Sequence, residues 1–526
     1  MWSLLESPLT GNIRTGQLAV LASISVLIVI ALFNALLAKG TGAHKLPDLP
    51  IALQEELPNE KDRIERYVND TRELLIHGYR VFKDQVFGIN TTEGTNIVLP
   101  LKYLDDLKGH RTLTFGAFLE EQFTLKEYTK LGNLTEAQIQ VYIRDFNPLL
   151  RMLSFLLDET VTYTTPAQYV PTIHRWICEY FPIGECESWT TTKPYVPLNR
   201  LVSRICARMF LGEAAARDDR WLDVAAVYIK TVEHWITNLK KWPKSLRPLV
   251  WRFVDGRRQA WQQFEEGRMI VSESLRKKKA NGNKPLNDPP SLMDCLTSGQ
   301  YSDSINDTEY HTIAQMNLCV AAIQAQAATV MQCLIDASGY PEYIPELREE
   351  IEQTLQSSGG VWTKQALDRL LKLDSFLKET QRLNSPDLTS YQRRVMQPLT
   401  LSNGMRIPRG ATLVIPTGAI NMDGQYFESP EQFDGFRFYR KRLESEENAK
   451  KHQLVTVGKY DLAWGYGRHA CPGRFMADIV MKLIMIEFLT RYDVKYPTSQ
   501  ARPENVIYEG ILAPDPEWEL SFKKRC

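Results

Sequence analysis

The sequence predicts a mainly α protein with small β-sheets, carried behind one N-terminal transmembrane helix. Three observations predict it. Long stretches place apolar residues at helical spacing, and Tyr310–Asp336 runs without Pro or Gly. Short strand-and-turn runs gather at 399–416 and near the C-terminus. Leu18 to Ala38 is almost wholly apolar and carries no charge. At about 1.5 Å per residue, roughly 20 residues cross a hydrocarbon core about 30 Å thick.

The composition is that of an ordinary globular chain. Of 526 residues, 44% are hydrophobic and 24% charged. Lys+Arg and Asp+Glu both number 63, so no net basic footprint for nucleic acid exists. The 8 cysteines lack CxxC spacing and are too sparse for a disulfide scaffold, which fits a reducing compartment. The length is ample to enclose a core and a buried cofactor.

Residues 1–17 form a polar N-terminal segment, 18–38 the anchor, 39–50 a hinge and 51–526 one large domain. The run 18–38 is too long for a signal-peptide core and ends in no small-x-small cleavage site. Lys39 and Lys45 follow it against Arg14 before it, which places the large domain on the cytosolic side. Leu46-Pro47-Asp48-Leu49-Pro50 stiffens the hinge. On the cytosolic side the sequons at Asn69, Asn90, Asn133 and Asn306 stay unused.

In chain order, 57–90 opens with a charged amphipathic helix, 96–101 reads as a short strand and 110–165 as helical. Helices follow at 197–211 and 219–239. Residues 239–251 interleave Lys240, Lys241, Lys244 and Arg247 with Trp242 and Trp251, a pattern that suits a membrane interface. Lys277–Pro290 is a linker. Tyr310–Asp336 is apolar on all sides and is expected to be buried. Leu367–Leu383 is helical and carries Glu379 and Arg382 three apart, on one face. A hairpin at 399–408 turns at Ser402-Asn403-Gly404, and a further strand spans 411–416.

Trp464-Gly465-Tyr466-Gly467-Arg468-His469-Ala470-Cys471-Pro472-Gly473 is the chemically distinctive stretch. Its glycines permit positive φ or close approach to a flat partner. From Pro472 a helix is expected, with Phe475, Met476, Ile479, Val480, Leu483 and Ile486 at helical spacing. Cys471 then lies at a helix N-terminus, where the dipole favours a thiolate.

This stretch resembles the heme-binding loop of the cytochrome P-450 family, Phe-x-x-Gly-x-[Arg/His]-x-Cys-x-Gly, with Trp464, Gly467, His469, Cys471 and Gly473 at those places. Trp464 replaces Phe. The resemblance implies a P-450-like fold with a buried heme and Cys471 as axial ligand of its iron, a thiolate that favours O–O cleavage. It gives His469 the family's cationic position as a contact for a heme propionate, with Arg144 and Arg151 as further candidates. It makes Glu379, Arg382 and Arg437 a structural clamp. It lays Tyr310–Asp336 across the distal heme face, where Ala321 and Ala322 let the macrocycle approach. The family's acid and threonine there are Gln324 and Ala325 in this chain, followed by Gln326. An amide does not titrate, so proton delivery must differ. Val395, Met396 and Leu399 are expected to line the substrate cavity, and the 239–251 loop to touch the bilayer beside a substrate entrance.

The wording of 340–351 and 433–473 is most similar to fungal membrane-bound members, many of which tailor terpenoids and polyketides. The implied activity is oxidation of an apolar small molecule by O2. Electrons would come from NADPH through a cytochrome reductase, at the endoplasmic-reticulum membrane. Hydroxylation, desaturation and rearrangement such as ring expansion are all open outcomes. Two alternatives stand beside it: a redox-neutral heme-thiolate isomerase, and an anchored heme-binding protein that has lost oxygen activation.

Overall fold

The computed structural model describes residues 46–123, 128, 166–181, 188–244, 246–282, 291–297, 307–497 and 501–525. The predicted anchor at 18–38, most of the hinge, and Arg144 and Arg151 lie outside the described residues.

The elements follow the apolar periodicity. Helix α1 (Glu60–Phe82) leads into strands β1 (Phe87–Thr91) and β2 (Gly94–Val98), then β3 (Leu113–Thr114) and α2 (Phe115–Gln122). The strand expected at 96–101 therefore ends early, at Val98, and Pro100 precedes a 3-10 turn. Helix α3 (Pro166–Tyr180), strand β4 (Thr190–Thr192) and helices α4 (Tyr195–Phe210), α5 (Asp219–Lys240) and α6 (Arg257–Ala280) come next. The central helix α7 spans Thr308–Gly339, and α8 (Ile344–Ser357) and α9 (Leu371–Leu383) follow it. Strands β5 (Ser390–Val395), β6 (Leu399–Thr400), β7 (Arg406–Ile407) and β8 (Thr412–Ile415) precede α10 (Arg437–Leu443) and α11 (Arg474–Arg491). The tail holds β9 (Tyr492–Lys495), β10 (Val506–Tyr508), β11 (Ile511–Ala513) and β12 (Leu520–Lys524).

Helix α7 starts where the Asp307 side chain accepts the amides of Glu309 and Tyr310. It is the one described helix apolar and long enough to cross a membrane, yet it is packed inside the protein. It touches α4, α6, α5, α9 and α11, and one continuous apolar core surrounds it. Helix α9 is capped from outside: Glu350 of α8 accepts the amides of Lys372 and Leu373 at 2.7 and 2.9 Å.

The largest sheet runs β1-β2-β8-β5-β3, antiparallel except for the parallel β2–β8 pair. The hairpin expected at 399–408 forms, with Leu399 opposite Ile407 and Gly404 at φ +84° in its turn. Of the three residues expected at the cavity wall, Val395 and Leu399 are buried in a second core with Leu113, Ile407 and Leu413, and Met396 is exposed. An alternating strand exposes two faces, and its sequence does not say which is the cavity face.

The connection after α5 presents Trp242, Leu249 and Phe253 to solvent, Phe253 being 87% exposed. Its base is tied to the β1–β2 turn. Glu93 there is met by Lys244 at 3.1 Å, Arg247 at 3.4 Å and Lys240 at 4.0 Å.

Candidate active site

The cysteine loop is shaped by its own backbone. Gly465 N–H donates to Leu462 O at 2.8 Å, Ala470 N–H to Gly467 O at 3.1 Å and Cys471 N–H to Trp464 O at 2.7 Å. Gly465 and Gly467 have φ of +74° and +70°, which L residues rarely adopt. A Cβ on Gly467 would also stand 2.8 Å from Lys108 O. Helix α11 begins at Arg474, with Gly473 as its cap, so Pro472 lies just before the helix rather than in its first turn. A Cβ on Gly473 would meet only Cys471 Sγ, at an ordinary contact distance of 4.0 Å, and Cys471 itself is partly exposed.

Burial pushes the Cys471 thiol up, against the amides of Gly473 and Arg474 and the Arg474 guanidinium, which favour the thiolate. Arg474 Nη1 donates to Cys471 O at 2.7 Å and Nε to Val455 O at 3.2 Å. Trp464 is half-buried, and its indole N–H donates to Leu454 O at 2.7 Å.

Burial, then the Arg393 and Arg468 guanidiniums, push the His469 pKa down to about 3. The imidazole accepts from Arg468 Nε at 2.9 Å, and its Nδ1 is buried without a partner. The cations at this place are Arg393 and Arg468. Arg468 Nη2 donates to Leu113 O at 3.1 Å, and Arg393, from β5, reaches Tyr466 O at 3.4 Å. Sequence reasoning missed Arg393. The signal was its position, in the pair Arg393-Arg394 of a strand soon after Arg382.

Exposed at its ends through Glu309 and Gly339, α7 has two exposed positions in its middle, Ala321 and Ala325, four apart on one face. Ala322 and Gln324 are partly covered. Gln326 is buried, with its Oε1 unpartnered. The Thr329 hydroxyl donates to Ala325 O at 2.8 Å. The window for a flat partner is thus Ala321 with Ala325, and Gln326 turns into the protein.

Glu379, Arg382 and Arg437 meet. Arg382 holds Glu379 through Nε at 2.9 Å and Nη2 at 2.8 Å, and Arg437 Nε lies 3.1 Å from Oε1 and 3.2 Å from Oε2. The arginines spend their other donors on carbonyls of Asn421, Pro430, Gln432 and Glu428.

These features fit a planar prosthetic group with carboxylate edges. A partly exposed cysteine, an orphaned buried imidazole nitrogen flanked by two guanidiniums, and a methyl-sized window on a core helix are what such a group needs. The class they define is the heme-thiolate proteins. The chain belongs to the cytochrome P450 family, whose model matches residues 184–522.

A cytochrome P450 monooxygenase of Emericella nidulans, AN1598, is 31% identical over 455 residues, 85% of this chain and 82% of that one. Ent-kaurene oxidase P450-4 of Gibberella fujikuroi is 30% identical over 472 residues, 88% of this chain and 89% of its own. The crystal structure of the cytochrome P450DA heme domain covers 91% of this chain and 98% of its own at a TM-score of 0.70. At 14% identity, that likeness speaks to fold alone. The protein is therefore a monooxygenase of this family, whose members use a heme-thiolate cofactor with NADPH-derived electrons passed on by a reductase.

Proposed function

We propose that Cys471 ligates the heme iron and that the substrate is an apolar small molecule of fungal secondary metabolism, with a terpenoid or polyketide skeleton. The observation that carries this reading is the partly exposed Cys471 in a glycine-bent loop at the head of α11, the helix packed on α7. Relatives named as ent-kaurene oxidases support a terpenoid-like guest.

When bound, the heme supplies the iron at which O2 is activated. The chain's residues do the rest. Cys471 gives the thiolate, held by the amides of Gly473 and Arg474. Arg393 and Arg468 receive the propionates, and His469 Nδ1 gains a partner there. Ala321 and Ala325 admit the ring. Ala325 brings no hydroxyl, so protons travel through water ordered by the Gln324 amide and the α7 backbone. Hydroxylation, desaturation and rearrangement all remain compatible with this pocket.

Cys471→Ser should abolish the thiolate-type band of the reduced carbon monoxide complex; a surviving band would sink the assignment. Product analysis of the full chain with a reductase and host extracts, with and without NADPH, tests the reaction. Turnover without a reductase would favour the redox-neutral isomerase. Ligand spectra without any turnover would favour the binding protein.

We also place the protein at a membrane, by the 18–38 run and by Trp242, Leu249 and Phe253 beside Lys241 and Arg252. Deleting 1–38 should release part of the protein from microsomes. Adding Trp242→Ser and Phe253→Ser should release the remainder, and full solubility after the deletion alone would remove the loop from the account.

A further inference from the structure

Helix α9 carries a second buried carboxylate, Asp374, five residues before Glu379. The two anions hold different parts of the chain. Glu379, through Arg382 and Arg437, fixes 421–437. Asp374 Oδ1 accepts from Lys482 Nζ at 2.7 Å, and Oδ2 from Arg442 Nη1 at 3.0 Å and from the Leu454 amide at 2.9 Å. Lys482 belongs to α11 and also lies 2.8 Å from Asp478. Four charged groups balance in the interior: Asp374 and Asp478 against Lys482 and Arg442.

The Leu454 bond leads toward the cysteine. Leu454 O accepts the Trp464 indole N–H at 2.7 Å, and Trp464 O accepts the Cys471 amide at 2.7 Å. Three hydrogen bonds thus join a buried anion to the backbone of the sulfur-bearing residue. Lys378, one turn along the same face of α9, braces the same strap, donating to Gln453 O at 2.9 Å and pairing with Asp461 at 2.8 Å.

We propose that Asp374 is a positioning residue for the cysteine loop, acting through Leu454 and Trp464. The anion holds the Leu454 N–H and so fixes the position of that residue and of its carbonyl. That carbonyl sets the plane of the Trp464 ring, and Trp464 O fixes the Cys471 amide. The family's Phe at position 464 has no N–H, so this coupling is a property of this chain's tryptophan. The proposal rests on Cys471 being the heme ligand.

The test compares full-length holoprotein as wild type, Trp464→Phe, Asp374→Leu, Asp374→Asn and Lys482→Met. The readouts are melting temperature and the rate at which the thiolate-type band of the reduced carbon monoxide complex converts to the thiol-type band. Trp464→Phe and Asp374→Leu should speed conversion about ten-fold, as expected for one lost charge-linked hydrogen bond. Asp374→Asn keeps an oxygen for the Leu454 amide and should convert slowly. Lys482→Met should lower the melting temperature without speeding conversion.

Equal rates for Trp464→Phe and wild type overturn the proposal. So does Lys482→Met matching Asp374→Leu in rate at the same loss of melting temperature. Should Asp374→Leu fail to take up heme, Trp464→Phe and Asp374→Asn decide alone. A thiolate band persisting in Cys471→Ser would defeat the reading beneath the proposal, whereas its loss there, with unchanged rates elsewhere, defeats only the relay.

Discussion

Glu379 and Arg382 form a two-bond fork with both side chains buried, and Arg437 closes it from the start of α10. One anion therefore serves two cations away from water. Removing that anion strands both guanidiniums. Glu379→Gln should cost about 3–5 kcal/mol, the usual penalty for breaking a buried pair. The expected result is little folded, heme-loaded protein, read as the ratio of heme absorbance to protein. A variant with normal heme content and melting temperature would show that the carbonyls of 421–437 suffice to hold the arginines.

The distal pair can be separated by substitution. Ala325→Thr restores a hydroxyl that this chain does without, and turnover should change by only a few-fold if water at Gln324 carries the protons. Gln324→Leu removes the amide and should divert more NADPH to peroxide than to product. Peroxide yield against product yield is the measurement. A large gain from Ala325→Thr, starting from an inactive protein, would mark a decayed enzyme instead.

Gly467→Ala meets two obstacles, a φ of +70° and Lys108 O at 2.8 Å from the new Cβ. Gly404→Ala has a similar φ, +84°, with nothing within 4 Å. The first should lower stability by more than the second, which carries only the backbone cost of about 1 kcal/mol. Melting temperatures of the pair give the answer. Equal losses would mean that Lys108 moves aside freely.

Much of this site is legible because it is written in short spacings. Cys471 with its glycines, and Glu379 with Arg382, stand within a few residues of one another. Asp374 is not legible, since its partners Arg442 and Lys482 come 68 and 108 positions later. Alone on an amphipathic helix it reads as a solvent-facing acid. The surroundings of His469 are hidden for a related reason, because Arg393, which lowers its pKa, comes from strand β5, far back in the chain. Val395 and Leu399 show the converse limit, because alternation alone does not separate a cavity wall from a core.

Glu93 sets a condition on traffic. The connection after α5 is held by three cations on one carboxylate in the β1–β2 turn. A guest that needs this connection to lift must part charges, not merely peel apolar contacts. Lys244 is 57% exposed while its two fellow cations are mostly covered, so ordinary salt, with a screening length of about 8 Å, weakens the outer arm first. Were an uncharged guest to enter past this connection, its admission would acquire an ionic-strength dependence that belongs wholly to the host.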